Sequence, residues 1–380
     1  MQHKSLNIGV VCYPTYGGSG VVATELGKAM AGEGHNVHFI SYKRPARLSS
    51  YQPNVWYHEV TNFEYPLFDF KPYDTALASK IVDVALHYEL DLLHVHYAIP
   101  HAIIAYIARS ILESKNKRLP IITTLHGTDI TLVGIEGSFY PVVQFSIQQS
   151  DFVTTVSESL KKDTIKAFET NREIVVIPNF IDLLRFNSSP NIELKKSFAK
   201  NNELILMHIS NFRKVKRIPD IIRIFDIVQK EIPAILLLIG DGPERSQLED
   251  LCRELDIEPK VLFLGKQESV EELLNIADLF YLTSDHESFG LSALEAMACG
   301  VPVISSNIGG IPEVNVHDYS GYVCEVGDIH DMAAKSLSIL SDPIKHSKFK
   351  EQALEQARKF ELKKIMPQYM NLYLRCIKNG

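Results

Sequence analysis

Apolar residues along this chain fall into two alternating rhythms. Short stretches rich in aliphatic, aromatic and β-branched residues cover Asn7–Cys12, Val37–Ile40, Val55–Val60, Leu92–His96, Ile121–Leu125, Phe152–Val156 and Ile174–Ile177. Runs of that length predict strands, and Asn7–Cys12, apolar and β-branched throughout most of its length, predicts a buried one. Between them the apolar positions recur at helical spacing, over Val21–Ala31, Thr75–Tyr88, Ala102–Ser114, Phe139–Gln149 and Ser157–Phe168. Strands that alternate with helices predict a parallel sheet covered on both sides.

The rhythm breaks once. Pro178-Asn179-Phe180-Ile181-Asp182 ends the first series, and Asn187-Ser188-Ser189-Pro190-Asn191 reads as a looser linker. The alternation then restarts, with strands over Leu204–Ile209, Ala234–Gly240, Val261–Leu264, Asp278–Leu282, Val301–Ser305 and Gly321–Glu325. Helical spacing marks Ile218–Val228, Glu244–Leu255, Val270–Ile276, Ser292–Cys299 and Met332–Leu340, and the tail from Ile344 reads as helical. The predicted class is α/β with two Rossmann-like domains facing a central cleft. Their expected bounds are 1–182 and 183–360, with 361–380 as a last helix.

Composition narrows the function. With 380 residues and 46% hydrophobic content the chain can build two cores. A formal charge of -7 argues against general nucleic-acid binding and lends no support to a membrane-surface role. Five scattered cysteines without a CxxC pair suit a reduced, cytoplasmic protein better than disulfides or zinc. The start reads as a first strand and not a signal peptide, and no stretch approaches the roughly 18 apolar residues of a membrane span.

The chemistry concentrates at predicted strand ends. His286-Glu287-Ser288-Phe289-Gly290-Leu291 follows one strand and opens a helix ended by Gly300 and Pro302. Ligands of open parallel sheets bind at such carboxyl ends, and the free N–H groups of a helix start favour a phosphate. Ser288, Phe289, Gly290 and Leu291 therefore fall on the donor side of a phosphate-bearing ligand. Glu295, about two turns into that helix, can accept two hydrogen bonds from a vicinal diol such as ribose.

Gly18-Ser19-Gly20-Val21-Val22-Ala23 formally matches a dinucleotide fingerprint, with its helix starting at Val21. No acid for a ribose ends the second strand, so a nicotinamide site would need Lys43 or Arg44 on a 2′-phosphate. The same small-residue loop suits close approach to a donor diphosphate or an acceptor anion. His94-Val95-His96-Tyr97 and His126-Gly127-Thr128-Asp129 end two further strands. His94, His96 and His101 lack an acid at ligand spacing, which speaks against a metal. Arg213-Lys214-Val215-Lys216-Arg217 follows another strand end, and two cations there suit charge building on a leaving diphosphate.

Glu287 and Glu295, framed as Glu-Ser-Phe-Gly-Leu-Ser-Ala-Leu-Glu-Ala-Met-Ala-Cys-Gly-Val-Pro-Val, resemble the signature of the retaining GT-B glycosyltransferases of family GT4. Tyr13-Pro-Thr-Tyr-Gly-Gly-Ser-Gly-Val-Val-Ala-Thr-Glu-Leu-Gly27 is similar to the opening of members on the bacillithiol pathway. The resemblance spans essentially the whole chain. It implies UDP-GlcNAc as donor, L-malate as acceptor, and an α-glycoside and UDP as products. It places His126 on the donor sugar's hydroxyls and Glu287 in the catalytic group. It puts Lys216 with an arginine on the diphosphate, and Ser19, Tyr97 and Thr128 in the acceptor pocket. Gly18 and Gly240 go to the donor side. It implies that the last helix crosses back onto the first domain.

The family arginine usually stands five positions before the lysine, where this chain has Asn211, so the assignment stays open between Arg213 and Arg217. No Asp-x-Asp ends a strand, so no metal or other cofactor is expected. The partners expected are the two small substrates, with no nucleic acid and no membrane, and a homo-oligomer is left open. Other acceptors (an inositol phosphate, a polysaccharide end or a lipid) and a UDP-GlcNAc 2-epimerase are the rival readings.

Overall fold

The computed structural model describes residues 5–15, 17–48, 51–61 and 72–378. Met1–Lys4, Tyr16 of the first glycine loop, and the last two residues of the tail lie outside them. The chain forms two compact units, one of Met1–Asn179 with Lys363–Gly380, the other of Phe180–Leu362. Asn187–Asn191 lies inside unit 2, where the Asn191 side chain caps the next helix by accepting from the Leu194 N–H at 3.0 Å.

Unit 1 runs β1 (Asn7–Val11), α1 (Gly18–Gly32), β2 (Asn36–Ser41), β3 (Val55–Glu59), α2 (Tyr73–His87), β4 (Leu92–His96), α3 (Ile103–Glu113), β5 (Ile121–Leu125), α4 (Tyr140–Gln149), β6 (Phe152–Thr155), α5 (Glu158–Phe168) and β7 (Ile174–Val176). The strand order is β3-β2-β1-β4-β5-β6-β7, and every pairing is parallel. Consecutive connections change direction at β1 and β4, which makes their carboxyl ends the switch point of the sheet.

Unit 2 repeats the scheme. It runs α6 (Ile192–Phe198), β8 (Leu204–Ile209), α7 (Ile218–Glu231), β9 (Ala234–Ile239), α8 (Arg245–Glu254), β10 (Val261–Gly265), α9 (Val270–Leu274), β11 (Leu279–Leu282), α10 (Leu291–Ala298), β12 (Val303–Ser306), α11 (Ile311–Val314), β13 (Gly321–Cys324), α12 (Ile329–Leu340) and α13 (Pro343–Ala357). Its parallel order is β10-β9-β8-β11-β12-β13, with the switch point at β8 and β11. Phe212, Ile221, Phe225, Leu236, Leu238 and Tyr281 form the heart of its core. The last helix, α14 (Leu362–Lys378), belongs to unit 1 from Lys363 on, and there the Tyr373 hydroxyl bonds His94 at 2.7 Å.

Three local expectations change. α1 begins at Gly18, not Val21. The first turn packs so tightly that a Cβ on Gly20 would stand 2.5 Å from the Thr15 carbonyl oxygen, so only glycine fits. The cluster Arg213–Arg217 does not open α7. Lys214–Lys216 form a separate tight turn, and Arg217, at φ 49°, breaks the chain direction before Ile218. Glu295 stands roughly one turn into α10, because Glu287–Gly290 is a turn and Gly290, at φ 92°, caps the helix.

Candidate active site

In unit 2 the loops after β8 and β11 are bound together. The Thr283 hydroxyl donates to the Lys216 carbonyl at 3.0 Å, and the Asp285 N–H donates to the Val215 carbonyl at 3.0 Å. This brings Lys216 onto Glu287, with Nζ 2.6 Å from Oε2. Both side chains remain about one-fifth exposed, at 23% and 19%. Behind them Gly309 and Gly310 press against the Glu287–Ser288 backbone. A Cβ on Gly309 would lie 1.9 Å from the Glu287 carbonyl oxygen, and Gly310 N–H donates to that oxygen at 3.0 Å. Sequence reading passed over this pair, although a Gly-Gly step after a strand marks a turn.

The two arginines part company. Arg217 Nε donates to Asp220 Oδ2 at 2.7 Å. The exposed Arg213 side chain makes no hydrogen bond or ion pair among the described residues. Glu295 is only 8% exposed, and Phe289 packs edge-on against Phe360. Gly240, at φ 124°, has no room for a side chain, since a Cβ would meet the Ser210 carbonyl oxygen at 1.8 Å. Leu291 supplies the first backbone turn of α10, which leaves its N-terminal N–H groups without helical partners.

Unit 1 gathers its polar groups around imidazoles. β4 and β5 are neighbours, so His94, His96 and His126 form one stack, with ring centroids 4.4 Å and 5.2 Å apart. His94 bonds Tyr373 and Thr124, each at 2.7 Å. His96 Nδ1 meets His126 Nε2 at 2.9 Å, which leaves His126 Nδ1 as the ring's open position. Burial pushes His94 and His126 down to about 3 and His101 to about 4, and it holds His96 well below the usual range. All four are neutral near pH 7 because a desolvated imidazolium is costly.

Tyr97 lies against His126, ring centroids 5.1 Å apart, and its hydroxyl donates to Ser19 Oγ at 2.9 Å. The predicted residues Ser19, Tyr97 and His126 are thus together. Gly18 forms the helix start beside Ser19, while the exposed Thr128 hydroxyl makes no hydrogen bond among the described residues. Asp129, Tyr373 and the ring-setting role of His96 were missed. An aspartate just after a strand-end Gly is a turn signal that pointed to the first. No sequence pattern links Tyr373 to His94.

Two family models match the chain, Glycosyltransferase Family 4 over residues 16–185 and Glycosyl transferases group 1 over 191–356. The chain is 49% identical over 380 residues, 99% of each protein, to the N-acetyl-alpha-D-glucosaminyl L-malate synthase of Bacillus anthracis. The chain belongs to glycosyltransferase family 4. Among solved structures, this family 4 chain resembles the sucrose-phosphate synthase of Thermosynechococcus elongatus with a TM-score of 0.82. The two share 19% identity, over 99% and 100% of the chains. Anabaena HepE in complex with UDP and glucose matches with a TM-score of 0.81, 21% identity, and coverage of 97% and 99%. The fold is GT-B, and the protein is a glycosyltransferase. Among the described residues no group of three or more His, Cys, Asp or Glu could hold a metal, and no helix is long and apolar enough to cross a membrane.

Proposed function

We propose that this family 4 enzyme transfers N-acetylglucosamine from UDP-GlcNAc to the hydroxyl of L-malate, giving the α-glycoside and UDP as the first step towards bacillithiol. The observation that carries this reading is the 49% identity, over 99% of each chain, to the malate synthase of Bacillus anthracis. Unit 2 takes the nucleotide. Glu295 accepts from the ribose hydroxyls, the Gly240 loop lies along the base, and Lys216 with Arg213 neutralises the diphosphate. Arg213 is chosen because Arg217 is already engaged by Asp220. The N–H groups before and at the start of α10, from Ser288 to Leu291, add their partial charge to this cationic group. Lys216 then exchanges Glu287 for the diphosphate, which frees Glu287 for the sugar.

Unit 1 takes the hydroxyl-bearing groups. His126 presents Nδ1 to the sugar, and Ser19, Tyr97 and Thr128 with the Gly18 helix start hold malate. With no carboxylate set as a covalent nucleophile, the acceptor attacks on the face the leaving phosphate departs from, and that phosphate takes the hydroxyl proton. Lysine, arginine and helix N–H groups replace a metal ion, so turnover persists in EDTA. Five unpaired, buried cysteines fit work in the reducing cytoplasm. The deciding experiment incubates the protein with UDP-GlcNAc, with and without malate. UDP and an α-linked product are expected only with malate. A β-linked product, or a new sugar epimer without malate, overturns the reading.

A further inference from the structure

We propose that Asp129 is a positioning residue whose carboxylate ties the Tyr97 loop to the His126 loop. The inference rests on the reading above, in which Tyr97 and His126 meet the substrates. Asp129 is 2% exposed and accepts three backbone hydrogen bonds. Oδ2 takes the Ala98 N–H at 2.8 Å, while Oδ1 takes the Gly127 N–H at 3.0 Å and the His126 N–H at 3.2 Å. One oxygen therefore holds the residue after Tyr97, and the other holds His126 itself.

The Tyr97 loop needs holding. Tyr97 has φ 84°, a left-handed conformation unfavourable for a side-chain-bearing residue. Such backbone persists only where its surroundings over-determine it. The Tyr97 N–H donates to the Thr124 carbonyl at 2.9 Å, the Tyr97 carbonyl accepts from Ala102, and Asp129 fixes the residue between. A carboxylate suits this place because all its partners are donors. An amide would turn an N–H₂ group on one of them.

The charge is consistent with that use. Burial raises the Asp129 carboxyl to about 6 while backbone N–H groups, first that of Ala98, restrain the rise, so it is ionised at neutral pH. The groups about it are neutral there: the phenols of Tyr13 and Tyr97 are pushed up, and His96, His101 and His126 are pushed down. Loss of the tie leaves the hydroxyl and the imidazole in place but frees their mutual geometry, a small error to which transfer is sensitive.

The test compares the wild-type enzyme with Asp129→Asn. The variant is expected to raise the KM for malate several-fold and lower kcat at least fivefold, with UDP affinity unchanged within twofold. Tyr97→Phe should raise the malate KM less when added to Asp129→Asn than when made in the wild-type, because both changes then act through one hydroxyl. Wild-type kinetic constants in the variant, or a full and additive Tyr97→Phe effect, overturn the proposal. A second measurement needs no variant. In the wild-type protein the backbone amide resonances of Ala98, His126 and Gly127 should shift together, with the midpoint shown by the Asp129 side-chain carboxyl resonance itself. Amides that stay still while that carboxyl titrates rule out the tie. A wild-type enzyme with no malate transfer refutes the functional reading instead, and the amide titration still judges Asp129.

Discussion

Around His126 the polar side chains are buried and neutral, whereas around Glu287 they are charged and partly open to solvent. Unit 1 fills its strand ends with imidazoles that bond each other, a phenol and a threonine hydroxyl. Unit 2 fills them with a lysine–glutamate pair and with glycines that let backbone approach backbone. The two sheets share one topology and one kind of switch point. The fold decides where a ligand goes, and the residues on the loops decide which kind. A desolvated neutral cluster suits hydroxyl groups, where direction matters more than charge. A half-exposed cationic loop beside a helix start suits a diphosphate, whose charge would be too costly to bury among neutral groups.

The comparison breaks most plainly at Lys216. Lys216→Ala removes the cation and leaves Glu287 without its ion pair. It should lower kcat/KM for transfer by about a hundredfold or more, comparable to losing one transition-state donor. A loss under threefold in steady-state assays would remove charge from the account of unit 2.

Acid should strike unit 1 first. Its imidazoles at His94, His101 and His126 have folded values near 3 to 4, below the unfolded value of about 6.5. A depressed folded value means that stability is fully present above pH 6.5 and is lost as pH falls towards 4. Each imidazole withdraws on the order of 2 kcal/mol by pH 5. Asp129, raised to about 6, acts in the opposite sense and offsets part of this. Hydrogen exchange at pH 5 should show β4 and β5 opening before β8 and β11. The reverse order refutes the contrast, since unit 2 has His208, at about 4, at the corresponding place.

Two smaller effects sharpen it. Glu295→Ala should weaken UDP binding by about 1.5–3 kcal/mol, the range for hydrogen bonds to a charged group, and calorimetry reads it directly. Loss of affinity for inorganic diphosphate should be much less. Tyr97→Phe removes one neutral hydrogen bond and should cost about 1 kcal/mol, seen as a several-fold rise in malate KM with UDP affinity unchanged. If that variant weakens UDP and spares malate, Tyr97 belongs with the nucleotide.

Much of the scaffold was legible in the chain. β4, β5 and β8 run from Leu92, Ile121 and Leu204 to the residues that hydrophobic spacing marks. Strands buried on both faces are rich in apolar and β-branched residues, so their limits are written locally. Turn-rich boundaries read less well. Gly18 entered α1 because only the packed turn reveals that Gly20 has no room for a Cβ. The Arg213–Arg217 run looked like a helix start because nothing in its composition announces the left-handed Arg217.

Residue types and their nearness to strand ends were set by sequence alone: Glu287, Glu295, Lys216, His126 and Tyr97 all lie in or just beyond predicted carboxyl-end loops. Their partners were decided by tertiary structure. Lys216 is 71 positions from Glu287, Ser19 is 78 from Tyr97, and Tyr373 is 279 from His94. Periodicity reports which face of an element is buried, because burial follows the local pitch of helix and strand. It carries no information on which distant loop lies opposite, since strand order and the closing of loops are set by packing of the whole unit. That packing paired Arg217 with Asp220 and turned Asp129 from a turn residue into a buried acceptor for backbone N–H groups of two loops.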